Sequence, residues 1–284
     1  MISSTDSNTR KSTNIFGLFS DRDKEINTAE SSNRIRVIYE IAGVLYENST
    51  IPLTNIQILL YLSMRRHTEE ETAGKINLDE IIRCLSMVAA TLKENPKEAL
   101  KDLRKIGAEI DSKVPYRDGH SLRVTDYSLA IADSLGFSEN EKVTLEVAAL
   151  LHDFGKIGID EKILLQPRAL TETEKIEVTM HVMRGYYMLA GFSELIEALK
   201  GIKTHHEYYD GSGYPEGLSK GEIPLIGRII AVADAYDAMT SERPYRKAMS
   251  KKEALNELRA NSGHQFDPAI VKIFIKYITK TKKN

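Results

Sequence analysis

The sequence predicts an all-α protein, on three observations. Apolar residues recur at the three-and-four spacing of a helical stripe, as in Leu78, Ile81, Ile82, Leu85 and Val88. Ser138 with Glu141, Thr171 with Glu174 and Ser250 with Glu253 each fit a capping box, in which a hydroxyl caps a helix and a Glu reaches back three residues later. Val, Ile and Thr show no sustained alternation, so strands are expected to be scarce.

Taken in order, residues 1–32 are polar and rich in turn formers (SSTDSNTRKSTN, then SDRDKEINTAESSN), interrupted by Ile15, Phe16, Leu18 and Phe19. This segment is expected to be a mostly mobile tail. Residues 33–107 then read as a small helical module. Ile35, Ile38, Ala42 and Leu45 form one stripe, Ile56, Leu59, Leu60 and Leu62 begin a second helix, and the stripe from Leu78 is a third. The order resembles a helix-turn-helix regulator, but the segment that would read DNA is hardly basic, which favours an input or dimerising bundle. From residue 108 to 284 the punctuation sharpens. Gly136 ends a helix where a left-handed residue is wanted, and Asp267-Pro268 opens the last helix as cap and first-turn proline.

Bulk properties narrow the function classes. The chain has 284 residues, 42% hydrophobic and 28% charged, with a formal net charge of −2. That balance suits a folded globular protein and gives no overall basic field for nucleic acid or a membrane surface. Cys84 is the only cysteine, so no intramolecular disulfide is expected. No stretch reaches the roughly 18 apolar residues of a bilayer span, and the N-terminus lacks the apolar core of a secretory signal. A cytoplasmic protein is therefore expected.

The chemistry-bearing residues are concentrated in the second region. Five of the seven histidines are His120, His152, His181, His205 and His206. His152 is followed by Asp153 at the end of the apolar run VAALL, where neither is cheaply buried unless paired or bound to a metal. Imidazole and carboxylate together suit zinc, iron or manganese. Adjacent helical residues point about 100° apart, so neighbouring pairs such as His152-Asp153 and His205-His206 suit two metals better than one. Asp234 and Asp237 stand three apart on the apolar helix LIGRIIAVADAYDAM, which puts both carboxylates on one face. His67, in a polar connector, and His264, in a turn, have no such context. The segment HEYYD from His206 imitates a zinc-peptidase HExxH, but Gly211 and Gly213 are expected to end the helix that motif requires. No Gly-Lys-Ser/Thr follows the glycines, which excludes a P-loop.

Together, His120 with Arg123, LLHDFGKIGI (150–159), LTETE before His181, HHEYYDGSGYP (205–215), IIAVADAYDAMTSERPYRKA (229–248) and GHQFDP form a run. In order and spacing it resembles the HD-GYP family, bacterial signalling phosphodiesterases of the HD superfamily of metal-dependent phosphohydrolases. The resemblance covers roughly residues 108–284 and none of 1–107. It implies an all-helical HD-domain bundle around a di- or trinuclear metal site, commonly iron or manganese, that hydrolyses cyclic di-GMP. His152, Asp153, His181, His205, His206 and Asp234 resemble the family's metal ligands, with Asp153 bridging. His120 matches a further histidine at the edge of such sites. Trinuclear members carry a glutamate four residues before it; here that position is Tyr116, which favours two metals and linear pGpG, rather than GMP, as the main product.

The resemblance also implies two-metal hydrolysis by a bridging hydroxide, with Asp153 and Lys156 as the catalytic pair. Lys156, Arg243 and Arg246 resemble phosphate-contacting positions, Tyr214 either touches substrate or shapes its loop, and Asp237 is expected to orient a metal ligand from behind. Rival readings are hydrolysis of another cyclic dinucleotide, a non-catalytic cyclic di-GMP receptor or interaction protein, and DNA binding by residues 33–107. A homodimer through the N-terminal module and other signalling proteins are the further partners considered.

Overall fold

A computed structural model describes residues 78–112, 119–166, 168–242 and 247–280. The expected tail (1–32), the first two helices of the N-terminal module, His67, Tyr116, Arg243 and Arg246 lie outside the described residues. The described residues form eleven α-helices and no strand, the β pairing among them being confined to isolated bridges at Asp210–Ser219 and Ser262–Phe266. None of these helices is long and apolar enough to cross a membrane.

Helix α1 (Leu78–Leu92) packs on α2 (Pro96–Ser112), which in turn lies against α3 (His120–Leu135) and α4 (Glu139–Leu151). A short 3-10 turn (Phe154–Gly158), α5 (Glu161–Leu164) and α6 (Glu172–Thr179) lead into α7 (His181–Leu189). Then come α8 (Ile196–Thr204), α9 (Leu225–Thr240), α10 (Lys251–Ala260) and α11 (Pro268–Lys280). The expected boundary at 107/108 falls inside α2. Leu103, Ile106 and Ile110 of that helix share one core with Val124, Leu150 and Leu151 of α3 and α4.

The punctuation forms as the residues dictate. Ser138, Thr171 and Ser250 each accept the Glu N–H three residues on, and each Glu carboxylate returns the bond to the cap backbone. Gly136 closes α3 at φ 75°, and Asp267 accepts the Ala269 N–H at 2.8 Å at the head of α11.

Two helices carry the centre of the bundle. From Leu145 to Leu151, α4 is buried on every side, so it can end only in the interior. Ile229, Ile230, Val232, Ala233 and Tyr236 bury most of α9 as well. Between α4 and α7 the backbone at Gly155 lies directly against the start of α7. A Cβ there would sit 2.0 Å from the His181 carbonyl oxygen and 2.5 Å from the Gly185 nitrogen. That approach sets Asp153 beside His181. Both obstructing atoms are backbone, so Gly155→Ala is expected to destabilise the fold by about 3 kcal/mol. Urea unfolding checks it, and a loss below about 1 kcal/mol would contradict the packing described.

Candidate metal centre

Three histidines reach back to the C-terminus of a preceding helix, where the last carbonyls lack helical partners. His152 directly follows α4, His205 directly follows α8, and His181, the first residue of α7, lies two residues past the end of α6. Each ring turns back on that preceding helix end. Nδ1 of His152 meets the Ala149 oxygen at 2.7 Å, Nδ1 of His181 the Val178 oxygen at 2.6 Å, and Nδ1 of His205 the Ile202 oxygen at 2.8 Å. A carbonyl can only accept, so Nδ1 carries the proton in all three. Burial lowers the pKa of each ring to about 4, so at neutral pH each is uncharged and Nε2 holds a lone pair.

His120, the first residue of α3, reaches the same tautomer by another route. Its Nδ1 lies 2.7 Å from Asp237 Oδ2, and Arg123 binds the same carboxylate through Nε at 2.5 Å and Nη2 at 3.1 Å. Burial opposes ionisation of Asp237, but the bonds from His120 and Arg123 prevail and hold its carboxyl below the usual range. Asp237 therefore accepts from His120, whose Nε2 is left facing the other imidazoles.

The four Nε2 atoms converge. His120 and His152 face each other at 3.3 Å, and His181 and His205 at 3.4 Å. Asp153 lies between the pairs: Oδ1 is 3.3 Å from His181 Nε2, while Oδ2 is 3.5 Å from His152 and 3.6 Å from His120. Asp234 Oδ1 lies 3.3 Å from His120 Nε2. The His206 ring lies beside that of His205, tilted by 44° with centroids 4.1 Å apart, and burial, with the neighbouring imidazoles, pushes its pKa well down. The donor atoms of His181, His205 and His206 fall within 4.8 Å of one another, as do those of His120, His152 and Asp153. Facing lone pairs on neutral imidazoles repel unless a cation stands among them, so this donor set fits divalent metal.

The rim is built from the chain that follows. Lys156 Nζ is 2.5 Å from Asp153 Oδ2. Tyr214 stacks on His206 at 5.0 Å and 27°, and burial followed by the charges of Asp153 and Asp234 drives its phenol up, so it remains a donor. Glu207 is buried and accepts the backbone N–H groups of Glu216 at 2.7 Å and Leu218 at 3.1 Å. It ties down the loop carrying Tyr214. The glycines do not end the helix as expected: α8 stops at Thr204, and Gly211 and Gly213 lie in the loop beyond. The chain is no longer helical beyond Thr204, which removes the helix a peptidase motif would need. His264 pairs with Asp210 at 3.3 Å on the exposed side of that loop, away from the cluster.

A family profile described as HD domain matches residues 95–270. The chain belongs to the HD domain family. Its motif run is that of the HD-GYP type. It is 36% identical over 222 residues to the cyclic di-GMP phosphodiesterase response regulator RpfG of Xanthomonas campestris pv. campestris, covering 76% of this chain and 56% of that protein. It is 42% identical over 167 residues to a cyclic di-GMP phosphodiesterase of Thermotoga maritima, covering 57% and 45%. It is 41% identical over 162 residues to the 3'3'-cGAMP-specific phosphodiesterase 3 of Vibrio cholerae, covering 57% and 35%. The chain thus spans about half or less of the length of each of these relatives.

The neutral rings give this HD domain a pH signature. Their folded pKa of about 4 lies below the ordinary 6.5, so unfolding takes up protons between those values. The stability they permit is complete above about pH 6.5 and is lost as pH falls toward 4. Metal-free protein should show a urea midpoint that declines steadily from pH 7 to pH 4.5; a flat midpoint would refute neutral, buried imidazoles.

Proposed function

We propose that this protein is a metal-dependent phosphodiesterase that hydrolyses cyclic di-GMP, mainly to linear pGpG. The observation that carries the reading is Asp153, set between two clusters of inward-facing imidazole nitrogens. The proposed ligands are His152, Asp153, His181, His205, His206 and Asp234, holding two metals, iron or manganese, with Asp153 shared and His120 closing one side. When bound, such cations supply a nucleophile at neutral pH and take charge from phosphoryl oxygens.

The chain's own residues do the rest. Lys156 carries positive charge beside Asp153, where it offsets the anionic diester and reaches one of its oxygens. The Tyr214 phenol, protonated and stacked on His206, donates a hydrogen bond from the rim. Arg243 and Arg246 are proposed for bidentate contact with the second phosphate. Asp237 holds His120 in its donor tautomer from behind. Residues 33–107 are proposed as an input or dimerising module, in a cytoplasmic protein. A second reading is 3'3'-cGAMP as substrate, favoured by an identity to the Vibrio cholerae enzyme close to that of the Thermotoga maritima one.

The experiment is to purify the protein with its metals, count them by elemental analysis, and follow both dinucleotides by chromatography. Two metals per chain and turnover of cyclic di-GMP to pGpG are expected. Three metals would remove the basis for pGpG as end product, and binding without hydrolysis under any metal would make the protein a receptor. His152→Ala and Asp153→Ala should each lower turnover more than about 100-fold, since residues that only support ligands already account for about 10–100-fold. Asp237→Ala belongs to that supporting class, and a loss of about 10–100-fold in metal affinity or turnover is expected.

A further inference from the structure

The buried Asp111 carboxylate plays no part in the centre described above, yet it contacts the residue next to His120. Asp111 lies near the C-terminus of α2, 2% exposed, and Ser121 at the head of α3 is fully buried. Its Oδ2 accepts the Ser121 backbone N–H at 2.7 Å, and its Oδ1 accepts the Ser121 hydroxyl at 2.9 Å. The N-cap of α3 is Gly119, which has no side chain to offer, so the cap comes from another helix. A carboxylate suits that end of the helix, where free N–H groups and the dipole favour negative charge.

Two more contacts lock α2 to both halves of the donor set. A Cβ on Gly107 would lie 3.3 Å from the Leu150 carbonyl oxygen and 3.5 Å from Ser121 Cβ. At one point, then, α2 rests on the segment leading to His152-Asp153 and on the residue following His120. One turn earlier, Arg104 Nη2 pairs with Glu146 Oε1 of α4 at 2.6 Å. α3 also packs directly on α4, so the 3.3 Å separation of His120 Nε2 from His152 Nε2 reflects that packing together with the seat of α2 on both helices.

We infer that Asp111 is a positioning residue for the metal centre: by capping α3 from α2 it fixes His120 against His152. Asp237 sets the ring's tautomer and direction, and Asp111 sets the height of the helix that carries the ring. The inference builds on the metal-centre reading but not on any particular substrate.

The test uses the full chain, stripped with chelator and titrated with Mn2+ alone, followed by calorimetry and by the electron paramagnetic resonance spectrum of bound Mn2+. Asp111→Ala should weaken Mn2+ binding about tenfold or more and alter the spectrum. Asp111→Asn keeps an acceptor for the Ser121 N–H and should return affinity to within about threefold of wild type. Ser121→Ala keeps the backbone bond and loses only the hydroxyl one, so it should weaken binding about twofold to fivefold, and it supplies the result if Asp111→Ala does not fold. Wild-type Mn2+ affinity and spectrum in Asp111→Ala would overturn the inference. So would a loss that Asp111→Asn fails to recover, or an unchanged affinity in Ser121→Ala. A wild type that hydrolyses no cyclic dinucleotide leaves this comparison intact, because it reads Mn2+ alone.

Discussion

The structure depends on one repeated interaction: a histidine at a helix terminus gives its Nδ1 proton to a carbonyl three residues back. That bond satisfies an acceptor the helix end leaves open, and it fixes which nitrogen faces the interior. Repeated at His152, His181 and His205, it builds a buried centre rich in lone pairs and poor in protons. His120 joins through Asp237 instead. Such a centre is costly to bury on its own, and divalent cations are what make it favourable.

The surrounding fold delivers these termini to one place. The second half of α4, from Leu145 to Leu151, is buried on all sides, so the helix ends in the interior and carries His152-Asp153 with it. The absence of a side chain at Gly155 lets the following turn press against α7, which brings Asp153 to His181. α9 supplies Asp234 and Asp237 one turn apart, one toward the centre and one behind His120. Glu207 then gathers the backbone of the next loop, so that the ring of Tyr214 covers His206. The ligands, their supports and the rim thus come from separate helices tied by a few buried polar contacts.

Much of this was legible in the sequence, where chemistry is local. Capping boxes, the left-handed Gly136 and the three-residue spacing of Asp234 and Asp237 are short-range signals, and each appears where expected. The convergence of His120, His152, His181, His205 and His206 came from the order and spacing of the motifs as a set. What stayed hidden depends on contacts between distant segments. The tie from Asp111 to Ser121 leaves no periodic trace. α8 ends at Thr204, well before Gly211 and Gly213, the first helix-breaking residues the sequence offers after it. α2 was divided at residue 107 because the motif run begins after it, although its apolar face belongs to the same core.

The central claim is that Nε2 lone pairs, turned inward by bonds at Nδ1, exist to hold metal. A crystal structure of the metal-loaded protein, with anomalous scattering recorded at the metal edge, tests it most directly. Metal peaks are expected bonded to Nε2 of His152, His181 and His205, with an Asp153 oxygen facing each cluster and every Nδ1 still on its carbonyl. Metal bound through Nδ1, or a centre that takes up no metal while the four rings keep these positions, would contradict it.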